Sequence, residues 1–264
     1  MTECVGGIDV RTPAAVTVTG FVAHQLGVAI SGPLSADSGL ATIDVTSTNI
    51  TASDPQDNCN TSVLSLGASA FTLRDSTVDG GYYGLIAYNT GSVTIQNSTL
   101  RNQYIGILSA GKLQMIDTMI TGTVSPVFLS GGTLSFTGVT MTGNATAIDL
   151  SGFSADAPLS LTMRRSTISG NNGDGIKLSG NVILDLGTAT DPGANVIMGN
   201  TKVGLHVIDG PGQPQITAIG NTWNANVQDA DDRGGYIEIA TLTGPLATSP
   251  GNNFALVAGA SLQR

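Results

Sequence analysis

The strongest constraint on this chain is a repeat of about 21 residues, each unit carrying three short runs in which apolar and polar residues alternate. One unit reads Phe71-Thr72-Leu73, Ser76-Thr77-Val78 and Gly84-Leu85-Ile86-Ala87; the next reads Val93-Thr94-Ile95, Ser98-Thr99-Leu100 and Gly106-Ile107-Leu108-Ser109. Leu113-Gln114-Met115, Leu134-Ser135-Phe136 and Leu161-Thr162-Met163 open three more. The middle apolar positions, Val78, Leu100, Ile120, Met141 and Ile168, are 22, 20, 21 and 27 residues apart, and the long step holds a loop over 151–158. Val16-Thr17-Val18 and Ile43-Asp44-Val45 mark earlier units; Leu184, Ile197 and Gly204-Leu205-His206-Val207 mark a later one, with a loop near Thr188 to Pro192.

Period-2 alternation broken by Gly, Asn, Asp and Ser means short strands separated by turns. Strands this short cannot bury an apolar face alone. Stacked at about 4.8 Å they pair in parallel with the unit above and enclose a shared core. The expected fold is all-β: a right-handed parallel β-helix, a solenoid of about eight coils roughly 40 Å long. A leucine-rich repeat would need its own leucine signature and helical segments, and a propeller needs units of about 40 residues. The coils are expected over 1–214. Residues 215–264, with Ile216-Thr217-Ala218-Ile219-Gly220-Asn221-Thr222-Trp223-Asn224 and Tyr236-Ile237-Glu238-Ile239, are expected to be a last strand and a C-terminal cap.

Three strands per coil with inward apolar residues resembles the pectin-lyase-like β-helix superfamily over about 14–210. The Gly-Asn-Thr-Trp-Asn stretch from Gly220, with Gln228 to Asp232, resembles the C-terminal part of secreted bacterial β-helix proteins carrying an uncharacterised domain. The second resemblance implies a secreted or envelope location and supplies no catalytic residues. One such fold serves lyases, hydrolases, adhesins and phage fibres, so it does not fix an activity.

Composition narrows the partners. Ten basic against nineteen acidic residues give a formal charge of −9, which repels phosphate backbones and argues against nucleic acid. No apolar run reaches the ~20 residues of a membrane span. Met1-Thr2-Glu3-Cys4 has neither the basic region nor the apolar core of a signal peptide, and the expectation is an extracellular or cell-envelope protein whose signal has been removed. Cys4 and Cys59 either close a disulfide between the first coils, in keeping with that location, or remain two thiols.

In enzymes that this fold resembles, the site lies on one outward strand face. The register places Ala29, Ser65, Ile86, Leu108, Phe128, Asp149, Lys177 and His206 between the inward positions of the third strand. Ile86, Leu108 and Phe128 make an apolar stripe, either a docking face for a glycan, protein or second subunit or a patch closed over by loops near Tyr82-Tyr83 and Ser125-Pro126. Tyr88 and Tyr104 lie near it and could stack on sugars. Asp149, Lys177 and His206 make a polar stripe, either an acid–base constellation or a structural ion-pair ladder in which Asp149 faces Lys177. Asp174, in Gly173-Asp174-Gly175-Ile176, reads as a turn residue, and Asp149 with Asp174 is the one carboxylate pair to set against an inverting hydrolase.

The motifs of the superfamily's enzymes are missing. Arg164-Arg165 has no aligned acidic cluster in the register, and the ordered polygalacturonase motifs are absent. No cofactor is expected. Asp75, Asn97 and Asp117 share a turn position and suggest a ladder of turn residues rather than a Ca²⁺ site, which wants more converging oxygens. With only His24 and His206, histidines cannot build a metal cluster. The Asn-x-Ser/Thr triplets at Asn49, Asn60, Asn97 and Asn144 are expected by chance. The expected function is therefore a non-catalytic secreted or surface protein binding a carbohydrate or protein partner. The alternatives are a polysaccharide lyase or hydrolase with a divergent site and a purely structural rod.

Overall fold

The computed structural model describes residues 6–10, 14–24, 28–32, 41–52, 61–66, 70–88, 91–109, 111–129, 131–152, 158–208, 215–226 and 228–232. Cys4 and Cys59 lie outside these residues.

The described strands form three parallel sheets of ten, nine and nine, and each strand pairs with those one turn before and after it in the chain. The molecule is a parallel β-helix. A turn visits a first face with strands such as Ser92–Gln96, a second with strands such as Thr99–Arg101, and a third with strands such as Ile105–Ser109. Residues 215–232 add three further strands in register, Gln215–Thr217, Thr222–Asn224 and Gln228–Asp232, and the segment expected to cap them lies outside the described residues.

The alternation dictates which side chains go in. Strand Lys112–Ile116 reads exposed, buried, exposed, buried, half-buried along its length. Leu113 and Met115 point to the core between Val93 and Ile95 below and Leu134 and Phe136 above. The second face contributes one inward residue per strand: Val78, Leu100, Ile120, Met141, Ile168, Ile197 and Trp223, all buried. These and the third-face residues form one continuous apolar cluster along the axis.

The third face departs from simple alternation. Several of its strands enter with two consecutive buried residues, a small one and then a large one: Gly106-Ile107, Ala147-Ile148, Gly175-Ile176 and Gly204-Leu205. Ala29-Ile30 obeys the same rule, so Ala29 is buried and does not belong to the outward column. In the next coil Ser65 pairs with Ala87, and Leu64 pairs with Ile86, so the column passes through Leu64 rather than Ser65. A strict period of two mis-sets both positions because the entry holds one extra inward residue.

Two of the corners between faces carry columns of left-handed residues. At the first, the chain passes through the left-handed region at Ser47, Asp75, Asn97, Asp117, Arg165, Ala194 and Gly220, with φ between 46° and 78°. Asn, Asp and Gly tolerate this conformation best, which accounts for Asp75, Asn97 and Asp117 as turn residues. A second left-handed column at Gly80, Asn102, Gly122, Gly143, Gly170, Gly199 and Ala225 marks the other corner.

Immediately after each of these left-handed residues except Gly80 sits a buried polar one. At the second corner these are Gln103, Thr123, Asn144, Asn171, Asn200 and Asn226. Asn144 Nδ2 donates to Asn171 Oδ1 at 3.1 Å, Asn171 Nδ2 to Asn200 Oδ1 at 2.8 Å, and Asn200 Nδ2 to Asn226 Oδ1 at 2.8 Å. Each Oδ1 also accepts the main-chain N–H of the turn before, and each Nδ2 also donates to a main-chain carbonyl, Ile120 O for Asn144 and Met141 O for Asn171. The corner's buried backbone groups are thereby satisfied without water. Asn144, noted above as a chance Asn-x-Thr triplet, is a fully buried rung of this ladder.

Candidate functional site

The third face presents one outward line of paired residues: Ile86, Leu108, Phe128, Asp149, Lys177 and His206. Every step is one parallel strand, so neighbouring side chains leave the sheet about 4.8 Å apart. The line changes from apolar to charged between Phe128 and Asp149.

The apolar half is narrower than the sequence suggests. Ile86 is only 7 % exposed, with Leu108 next to it in the column. Leu108 is half-buried, and Phe128 is 39 % exposed. Beside them, at the entrance of the face, Tyr82 and Tyr104 occupy the same position in successive turns. Ile105 N–H donates to Tyr82 O at 2.7 Å and Ser125 N–H to Tyr104 O at 2.9 Å, which continues the line to Val124. This parallel spacing stacks the Tyr82 and Tyr104 rings with centroids 4.8 Å apart and planes at 29°, and Tyr83 meets Tyr82 edge-on at 4.6 Å. Desolvation raises the Tyr82 phenol above its ordinary pKa, and Tyr83 and Tyr104 add to the effect. Tyr104 and Val124 are exposed side by side at the entrance, and Phe128 is exposed four residues further along the second of these two adjacent turns. The side chain of Tyr88 lies outside the described residues.

The polar half resolves into two separate pairs. Lys177 Nζ lies 3.1 Å from Asp149 Oδ2, both partly exposed. His206 does not join them. Its Nδ1 lies 2.9 Å from Oδ2 of Asp174, whose Oδ1 accepts the Val203 N–H at 3.0 Å. Asp174 is therefore more than a turn residue: it is a buried carboxylate that orients an imidazole on the outward face. Its partner stands 32 residues away, so spacing within the column did not suggest the pair.

Arg164 has no carboxylate aligned in its own column, yet it is held by two from outside it. Its guanidinium is almost buried and holds two carboxylates, Nη2 to Asp185 Oδ2 at 2.9 Å and Nε to Asp191 Oδ2 at 2.8 Å. Nη1 donates to the carbonyls of Met163 and Asp185. Arg164 sits in the column after Thr137, whereas Asp185 is paired with Thr162 in the neighbouring column and Asp191 lies on the 187–195 loop. The contacts run diagonally and through a loop, and an aligned-column search passes over them. Burial pushes the Asp185 carboxyl up, but the bond from Arg164, the Gly187 N–H and Thr217 outweigh it and hold the group below its ordinary value. Its bonds to Asp185 and Asp191, with their charges, outweigh burial at Arg164 and raise its pKa. The network clips the 187–195 loop to the first face.

No group of three or more His, Cys, Asp or Glu able to hold a metal occurs among the described residues. No helix among them is long and apolar enough to cross a membrane. The residues that sequence reasoning undervalued are Tyr82, Asp174, Asp185 and Asp191. Only Tyr82 carried a usable signal, its 22-residue spacing from Tyr104 in successive repeats.

No curated protein and no solved structure matches the chain. A family model described as "Right handed beta helix region" matches residues 61–223, more than half of the sequence and the part that carries the outward line from Ile86 to His206 and most of the polar ladders. With its three parallel sheets and one axial core, the chain belongs to the right-handed β-helix family.

Proposed function

We propose that this protein is a non-catalytic, secreted or cell-surface β-helix that binds a carbohydrate through the entrance and outward line of its third face. The observation that carries the reading is the exposure of Tyr104 and Val124 at the entrance, backed by the Tyr82 ring, and of Phe128 on the outward line, which the Asp149–Lys177 pair continues along the axis. An apolar surface of this kind suits the C–H face of a sugar ring, and the adjoining charges suit its hydroxyls or carboxylates. A protein partner is the competing occupant. Three open side chains are few for a stable protein interface, which takes about 800 Å² per partner. Glycan-array screening followed by calorimetry tests the reading. Tyr104→Ala and Phe128→Ala are each expected to weaken the best glycan roughly 30-fold, the loss of a ~2 kcal/mol anchor. A pull-down that recovers a protein, with no glycan signal, would replace the carbohydrate by a protein partner.

A specific observation supports catalysis as a second reading. An imidazole oriented by a buried carboxylate, His206 with Asp174, is the unit that general-base chemistry uses. Turnover of an acidic polysaccharide that disappears in His206→Ala, Asp149→Asn or Lys177→Ala would favour a lyase or hydrolase over the binding role.

A further inference from the structure

The entrance of the third face changes length along the rod. Asn172 N–H donates to Asn144 O at 2.7 Å, which aligns Asn172 with Ala145 of the turn before, and Ile176 pairs with Ile148. Four steps therefore lead from Asn172 to Ile176, where three lead from Ala145 to Ile148. The extra residue is a bulge, a device that re-aims a side chain. Here it brings Asp174 to the entrance, where its carboxylate meets His206.

The bulge also leaves a main-chain N–H without a partner. In earlier turns the amide after the entrance residue donates to the turn before, Ile105 to Tyr82 O at 2.7 Å and Ser125 to Tyr104 O at 2.9 Å. The corresponding amide is that of Gly173, and it makes no hydrogen bond among the described residues. Ala145 O abuts the glycine instead, so closely that a Cβ would not fit, and the packing holds this position to glycine. Asn172, the residue before it, is exposed, and its carboxamide has no hydrogen-bond partner among the described residues. Asn172-Gly173 is the only Asn-Gly pair in the chain. Asn171 is the contrast: its carboxamide is buried, with oxygen and nitrogen both bonded.

An amide nitrogen and a carboxamide carbon thus lie in adjacent residues, neither engaged elsewhere. We infer that Asn172 is a site of unaided deamidation through Gly173. The deprotonated Gly173 nitrogen attacks Asn172 Cγ. The new N–Cγ bond forms as the Cγ–Nδ2 bond breaks, and Nδ2 takes up a proton and leaves as ammonia. Water then opens the resulting succinimide at one carbonyl or the other, which gives aspartate or isoaspartate. Either product adds a negative charge to the entrance column, two residues before Asp174. Isoaspartate also lengthens the main chain by a methylene, between the bond from Asn172 N–H to Asn144 O and the bond that Gly173 O accepts from Lys202 N–H. The modification falls at the approach to the Asp174–His206 pair, whichever ligand the third face takes.

Trypsin releases Ser166–Lys177, which holds both Asn171 and Asn172. The folded full chain is aged in neutral to mildly alkaline buffer, and this peptide is followed by chromatography and fragmentation mass spectrometry. A gain of about one mass unit is expected at Asn172, divided between aspartyl and isoaspartyl forms, with Asn171 unchanged. The rate is expected to rise with pH, because the attacking nitrogen must lose its proton. It is also expected to stay within roughly thirty-fold of the rate in urea, where the fold no longer restrains the pair. Asn172→Gln is expected to keep the fold and abolish the change; a substitution at Gly173 would collide with Ala145 O and so tests folding instead. A folded-state rate more than roughly thirty-fold below that in urea would overturn the assignment. So would conversion of Asn171, or of any other described asparagine, ahead of Asn172.

Discussion

Replacing Asn171 by alanine tests the claim that the buried ladder, and not the apolar core alone, holds adjacent turns in register. The Asn171 Oδ1 accepts from Asn144 N–H and Asn144 Nδ2, both at 3.1 Å. Its Nδ2 donates to Met141 O at 3.3 Å and Asn200 Oδ1 at 2.8 Å. In Asn171→Ala the main-chain N–H of Asn144 loses this acceptor, and the Met141 carbonyl loses this donor. Asn144 Nδ2 keeps its bond to Ile120 O, and Asn200 Oδ1 keeps the Asn171 N–H. One orphaned buried N–H costs about 1–3 kcal/mol, and the weakened carbonyl with the small void adds about 1–2 kcal/mol. The expected destabilisation is about 3–4 kcal/mol. Asn172→Ala next to it changes an exposed side chain and is expected within about 0.5 kcal/mol of the unaltered protein. Asn171→Thr is expected to fall between, because Thr123 serves the same column with a hydroxyl. Urea unfolding followed by far-UV circular dichroism reads the difference as a shift in midpoint at unchanged slope. A cost for Asn171→Ala below 1 kcal/mol, or equal to that of Asn172→Ala, would refute the reasoning.

Two further outcomes follow from the charged clusters. Arg164→Met strands two carboxylates that now share a nearly buried guanidinium, and it is expected to cost about 3 kcal/mol in the same unfolding assay; Lys177→Ala breaks a partly exposed pair and is expected to cost under about 1 kcal/mol. Because the folded-state pKa of Asp185 is depressed, its contribution is complete at pH above the ordinary carboxylate value and is lost as pH falls through the lower folded value. Asp185→Asn is accordingly expected to flatten stability against pH in that acidic window, and an unchanged acid limb would show that the Arg164 contact is not what depresses it.

The candidate site was readable to the extent that its residues share one column. Asp149 and Lys177 follow equivalent inward residues in successive repeats, so counting along the chain brings them opposite one another, and the structure pairs them at 3.1 Å. His206 continues that column, but its carboxylate comes from Asp174 at the entrance of the preceding turn. Counting places His206 beside Lys177 and has no means of pointing it backwards. Arg164 escapes for the same reason, because a long side chain reaches across columns. Ile86 illustrates a third limit: outward parity was read correctly, but exposure depends on the neighbours above and below it.

The sequence alone determined the solenoid, its three faces and most of its register. Alternation of apolar and polar residues is a local property of each strand, and its recurrence every 20 to 30 residues leaves stacking as the way to bury the apolar side. Tertiary structure decided what the corners do. Asn144, Asn171 and Asn200 look like ordinary turn residues in a chain rich in asparagine, and become a buried ladder only when successive turns stand one strand spacing apart. It also decided which charges meet and which apolar side chains stay open, because those depend on side-chain reach between columns, which no period in the sequence encodes.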